Sequence, residues 1–188
     1  MSERRSVLLA MDFQRGIVER AGSADVLDAA GRAVGAARAA GVPVFFLRVA
    51  FRPGYPEVAA ANAAFGSSAR HSGESMTESH PDTQTDGRLA PLPGEPIVTK
   101  RRVSAFTGRD LDVVLRTVGA DHLVLAGIST SGVVLSTLRQ AADLDYRLTV
   151  LADACADRDP EVHRVLTRKV FPRQAQVTTT EDWIKTLN

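Results

Sequence analysis

The strongest constraint on this chain is a series of short, continuous apolar runs at residues 6–11 (SVLLAM), 42–49 (VPVFFLRV), 97–99, 123–126 and 148–152. They lack the in-out alternation of half-exposed strands, so they read as strands covered on both faces. The stretches between them have helical spacing. Val26, Leu27, Ala30, Ala33, Val34 and Ala37 share one side, as do Leu111, Val114, Leu115 and Val118. Val134, Thr137, Leu138 and Ala141 continue the pattern after the fourth run, and Val162, Val165 and Leu166 after the fifth. Parallel strands require crossover helices, which then cover the sheet, so the predicted fold is α/β, a three-layer α/β/α sandwich. A short last strand is expected at 176–179.

A chain of 188 residues is expected to form one domain over 1–188 and to bury enough surface to need no metal or disulfide staple. Lys plus Arg number 23 against 22 Asp plus Glu, for a net charge of +1. The basic residues fall in short groups such as 100–102 and 168–169, interleaved with acids, and aromatics are 5% of the chain. No nucleic-acid partner is expected from that balance. Cys155 is the single cysteine, which excludes an intrachain disulfide. The apolar run near the start is interrupted by Asp12, so neither a signal peptide nor a membrane span is expected there. A cytoplasmic location and no membrane partner follow as the default.

Residues 52–96 break the rhythm with many Gly, Ser and Pro residues. They read as a long irregular connection with one helical piece at 57–65, the kind of loop that serves as a lid or binding loop or runs as a solvated excursion. In open parallel sheets, ligands bind beyond the carboxyl ends of the strands. Three such ends carry distinctive groups: Asp12, Lys100, and the turn GISTSG at 127–132. A buried Asp12 beside a Lys100 cation is an acid/base pair; Asp12 capping a helix, with Lys100 in solvent, is the alternative. The small residues of the turn allow either an anion-binding helix start or a simple Ser/Thr cap. Neither GxxxxGK[ST] nor GxGxxG is present, and no cofactor is expected.

In order, the segments VLLAMDFQRGIV, TKRRVSAFTGRDLDVVLR and LVLAGISTSGVVLSTLRQAADLDYRLTVLADACADRDPEVHRVL span most of the chain. Together they resemble the isochorismatase-like hydrolase superfamily. The resemblance implies a Rossmann-like, six-stranded parallel sheet in the order 3-2-1-4-5-6, and a homo-oligomer, dimer or tetramer. It places the family's catalytic Asp on Asp12, its Lys on Lys100 and its helix-start cysteine on Val133. It also implies a cis peptide bond at Ile128–Ser129.

Valine has no proton, lone pair or pKa with which to attack an amide, so a thiol mechanism cannot run from position 133. The isochorismatase branch works without that cysteine: its Asp protonates a vinyl ether and water adds. By resemblance, Asp12 is the acid and Lys100 its electrostatic partner. The substrate is expected to be a small metabolite, a carboxylated one if Arg48 and Arg52 turn inward as a clamp. Phe13 and Gln14 beside Asp12, Asn62 and Phe65 on the long loop, and Ser129, Thr130 and Val133 complete the expected substrate contacts. No metal is expected, because the segment after the second strand has no histidine. Two alternatives stand beside this reading: a small-molecule binding member without catalysis, and a cysteine-type amidohydrolase using Cys155. Ser131 and Ser136 read as cap and helix-face residues.

Overall fold

The structure, a computed structural model, describes residues 5–21 and 24–187. In chain order, β1 (Ser6–Met11) leads into α1 (Arg15–Ala21) and α2 (Ala24–Ala39), then β2 (Val44–Val49) and α3 (Gly66–His71). Next come β3 (Ile97–Lys100), α4 (Leu111–Thr117), β4 (His122–Ile128) and α5 (Leu135–Asp143). β5 (Arg147–Ala156), α6 (Pro160–Val165), β6 (Gln176–Thr178) and α7 (Thr180–Lys185) complete the chain. The strands form one parallel sheet in the order β3-β2-β1-β4-β5-β6, as the resemblance implied. Among the described residues, no helix is long and apolar enough to cross a membrane.

The uninterrupted apolar runs have a direct cause: each face of the sheet lies against its own layer of helices. On β1, Val7, Leu9 and Met11 point into a core shared with α4, α5 and the segment after α6. Leu8 and Ala10 point the other way, into a core with α1, α2 and α7. The buried alanines of α2, Ala29, Ala30, Ala33 and Ala37, lie in that second core, so their small side chains let the helix approach the sheet.

Two readings of the sequence are corrected. No helix forms at 57–65. Instead, the Asn62 side-chain oxygen accepts from the amides of Ala64 and Phe65, both at 3.0 Å, and the helix begins at Gly66. An Asn that satisfies local amides in this way competes with helix formation. The fifth strand also runs past 152 and includes Cys155. From the Leu125–Val150 pair to the Gly127–Cys155 pair, β4 advances two residues while β5 advances five. The bulge frees the Asp153 carboxylate to accept from the Thr180 amide at 2.7 Å and its hydroxyl at 2.9 Å, anchoring α7.

The long 52–96 segment is tied down. It has a small core of its own, in which Phe65 and Met76 pack on Val49, Phe51 and Tyr55. The Thr83 hydroxyl donates to the carbonyls of Thr77 and His80, at 2.9 and 2.8 Å.

At the carboxyl ends of the central strands, Gly127 pairs with Met11. A Cβ at 127 would stand 2.7 Å from the Met11 carbonyl oxygen and 2.9 Å from Met11 Cβ. Only glycine allows this approach, which brings the end of β1 beside the turn after β4. Gly127→Ala is therefore expected to lower stability by about 1–3 kcal/mol. The measurement is a urea denaturation midpoint at unchanged slope.

Candidate active site

The order β3-β2-β1-β4-β5-β6 puts the topological switch point between β1 and β4, and the candidate site lies at their carboxyl ends. Asp12 follows β1 directly. Its amide still donates to the Leu47 carbonyl at 2.8 Å, but its φ is 57°, in the left-handed region. Asp and Asn tolerate this conformation better than most residues, and here it turns the side chain away from the strand's alternation.

Lys100 ends β3, which is separated from β1 by β2, so the two groups are not on adjacent strands. Lys100 must reach across about 10 Å of sheet, two interstrand spacings. Its Nζ lies 2.7 Å from Asp12 Oδ2 and also donates to the Arg102 carbonyl at 3.3 Å. Both side chains are buried, at 2% exposure for Lys100 and 7% for Asp12. Asp12 Oδ1 is buried without a hydrogen-bond partner.

Burial pushes the Asp12 carboxyl above its ordinary range; the charge and hydrogen bond of Lys100 pull it down, but less strongly. Proton binding therefore favours the folded state. This contribution is complete below the ordinary value of 3.8 and is lost as pH rises through the raised one.

The turn after β4 supplies another wall. The Ile128–Ser129 peptide bond is cis. Its amides are largely engaged within the protein: Gly132 N–H donates to the Ser129 carbonyl and side-chain oxygens, and Ser131 N–H to Asp157 at 2.7 Å. Thr130 is buried, with its hydroxyl 2.8 Å from His163 Nδ1. Burial lowers the His163 pKa, against the pull of the nearby Asp157, and so favours the neutral imidazole.

A cavity of about 510 Å³ is lined by Asp12, Lys100, Phe65, Ser129 and Val133, whereas Thr130 lies behind its wall. Its apolar wall is extended by Ile17, Val49, Met76, Val103 and Ile128, and two cations, Arg20 and Arg158, also line it. A larger cavity, about 910 Å³, opens at the amino ends of β1 and β4 around His122 and Trp183. Size does not choose between them: the loops diverge at the carboxyl ends, and the buried, half-unpaired Asp12 is there.

Several residues expected in the site are engaged elsewhere. Phe13 is buried in the core with α1 and α2 rather than walling the cavity. The Gln14 amide donates to the carbonyls of Val49 and Thr83, at 2.8 and 3.0 Å, and accepts from Val49 N–H at 2.7 Å, lacing β1, β2 and the long loop together. Arg48 donates to the Thr99 hydroxyl, the Gln84 side-chain oxygen and the Glu78 carbonyl. Arg52 pairs with Glu57 at 3.6 Å and is 65% exposed. Neither lines the cavity, and Asn62 closes its own turn. Of the two orientations open to Arg48 and Arg52, an inward clamp or outward charges, neither residue turns into this cavity. Arg20 and Arg158 escaped the sequence reading because neither belongs to a motif; only the fold brings α1 and the loop after β5 to one opening.

Cys155 faces the core shared with α4 and α5 and does not line the cavity. Burial pushes its thiol up to about 12. Among the described residues, no group of three or more His, Cys, Asp or Glu side chains is placed to hold a metal ion.

Comparison with known proteins extends the picture. The isochorismatase domain model matches residues 6–182. The isochorismatase family protein YecD of Escherichia coli O157:H7 is 32% identical over 191 residues, covering 100% of this chain and 98% of that protein. The ureidoacrylate amidohydrolase RutB of Pseudomonas syringae is 37% identical over 140 residues, 69% of this chain and 57% of the relative. The solved structure of an isochorismatase family protein from Burkholderia thailandensis superimposes with a TM-score of 0.84 at 30% identity, over 97% of this chain and 95% of that one.

Two outcomes follow. Asp12→Asn keeps shape and backbone preference but leaves Lys100 buried and unpaired; Lys100→Met does the converse. Each is expected to cost about 3–5 kcal/mol, and the double variant less than their sum, in a denaturation double-mutant cycle. Cys155 is expected to resist iodoacetamide at pH 8 until the chain is unfolded with urea, as read by mass spectrometry.

Proposed function

We propose, for a chain that belongs to the isochorismatase family, hydrolysis of a small metabolite by Asp12, Lys100 and water, without a thiol nucleophile. One observation carries the reading: a buried carboxyl with one unpartnered oxygen, its pKa raised by burial, lies 2.7 Å from an equally buried ammonium in a cavity. A carboxyl in that state holds a proton long enough to act as a general acid.

With an enol ether in the cavity, protonated Asp12 transfers its proton to the terminal alkene carbon. The carbon bearing the ether oxygen becomes an oxocarbenium ion, and the carboxylate left behind is stabilised by Lys100. Water adds to the cation, and the proton it releases restores Asp12. The hemiketal then breaks its bond to the leaving oxygen, giving a ketone and an alcohol. The apolar wall from Ile17 to Val133 excludes bulk water, which strengthens the Asp12–Lys100 interaction.

Val133 stands, by the family's pattern, where cysteine-dependent members carry their nucleophile. Cys155 is a poor replacement: it faces the core, and at pH 8 a thiol with a pKa of about 12 is only about one part in ten thousand thiolate. Similarity to an amidohydrolase therefore supports a shared fold and pocket more than a shared nucleophile.

The test is an assay of purified protein on enol ethers, among them 2-phenoxyacrylate, which would give phenol and pyruvate. Turnover is expected to fall by about 10³-fold or more in Asp12→Asn. In the wild type, kcat/KM is expected to decline as pH rises through the raised Asp12 pKa, the sign required of a general acid. Activity indifferent to Asp12→Asn overturns the proposal. Saturable binding of such compounds without turnover turns the reading to a non-catalytic binding protein.

A further inference from the structure

The charges that line the Asp12 cavity do not balance. Asp12 and Lys100 compensate one another, whereas Arg20 and Arg158 add two positive charges, and no other acidic side chain lines the space. Neither arginine makes an ion pair or side-chain hydrogen bond among the described residues, in contrast to Arg48, Arg52 and Arg101, which all have partners.

The acids flanking Arg158 in sequence accept from backbone amides rather than pairing with it. Asp157 accepts from the Ser131 amide at 2.7 Å, and Asp159 caps α6 by accepting from the Glu161 amide at 2.8 Å. Arg20 lies over Gly16. A Cβ at Gly16 would stand 3.3 Å from Arg20 Nη1 and 2.8 Å from Asp82 Cβ, so the glycine leaves room for the guanidinium. The Asp82 carboxyl carbon lies 3.2 Å from that same Cβ position, so its carboxylate is near Arg20, but the two make no ion pair, and Asp82 lies 3.8 Å from His80.

Two guanidinium groups without an ion pair, on the lining of a largely apolar cavity that Asp12 also borders, describe a ligand with opposite requirements at its two ends. From this juxtaposition we infer that Arg20 and Arg158 hold the carboxylate of an anionic substrate whose apolar, acid-labile part lies against Asp12. The inference rests on the proposed hydrolytic reading for its orientation, but it concerns binding and is measured without turnover. Guanidinium groups suit the task because they present paired N–H donors to a carboxylate and stay charged at every physiological pH.

The probe is 2-phenoxypropionate, which has no alkene to protonate, compared with its uncharged amide. Binding of each to the wild-type protein is followed by calorimetry. The acid is expected to bind about 100-fold more tightly than the amide. Arg20→Gln and Arg158→Gln should each reduce that ratio to about tenfold, and the double variant to about one. Both arginines are exposed, so these proteins should fold, which their thermal transitions verify. The preference for the acid should also shrink as salt rises. Equal affinity for acid and amide in the wild type, no binding of the acid at millimolar concentration, or a ratio unmoved in the double variant overturns the inference. Loss of enol-ether hydrolysis in Asp12→Asn alongside an unmoved ratio would leave the proposed function standing without it. An arginine-dependent ratio with no hydrolysis would do the reverse.

Discussion

The site depends on one buried ion pair. Two opposite charges removed from water are tolerable only if they meet closely, and at 2.7 Å Asp12 and Lys100 do. Much of the surrounding architecture serves that meeting. The left-handed backbone at Asp12 turns its carboxylate at the end of β1, and the length of the lysine side chain spans the end of β2. Gly127 lets β4 close against Met11 from the other side. The pair satisfies only one carboxylate oxygen, and the other is buried without a partner.

Around that pair, polar groups that sequence patterns offer to a ligand are largely occupied by the protein itself. Gln14 ties two strand ends to the long loop, and Arg48 braces that same loop. Asp157 and Ser129 take up amides of the turn after β4, while His163 meets the Thr130 hydroxyl. Buried polar atoms need partners, and here the protein supplies them itself. What lines the cavity beside the buried pair is a largely apolar surface and two arginines.

The same logic explains the fate of the lone thiol. Cys155 lies beyond a bulge in β5, next to Gly127 in register but turned into the core. Burial without a cation partner disfavours its thiolate, just as burial disfavours the ionised form of Asp12. Asp12 has Lys100 to oppose that effect and borders a cavity; Cys155 has neither.

The apolar runs determined the layers and the strand positions, because continuous hydrophobicity is stable only when both faces of a sheet are covered. The family resemblance implied the strand order, and the strand ends brought forward Asp12 and Lys100, since a charged residue directly after an apolar strand has few places to go. The helix expected at 57–65 did not form, and the orientation of Arg48 and Arg52, left open between an inward clamp and outward surface charges, was not legible, for a common reason: local propensity and side-chain type do not reveal which hydrogen-bond partners the rest of the chain supplies. Asn62 found amides in its own turn, and Arg48 found acceptors on the neighbouring strand and loop. Arg20 and Arg158 had no signal at all. They are far apart in sequence and belong to no motif, and only tertiary structure, by bringing a helix and a distant loop to one opening, decided that their charges act on the same space.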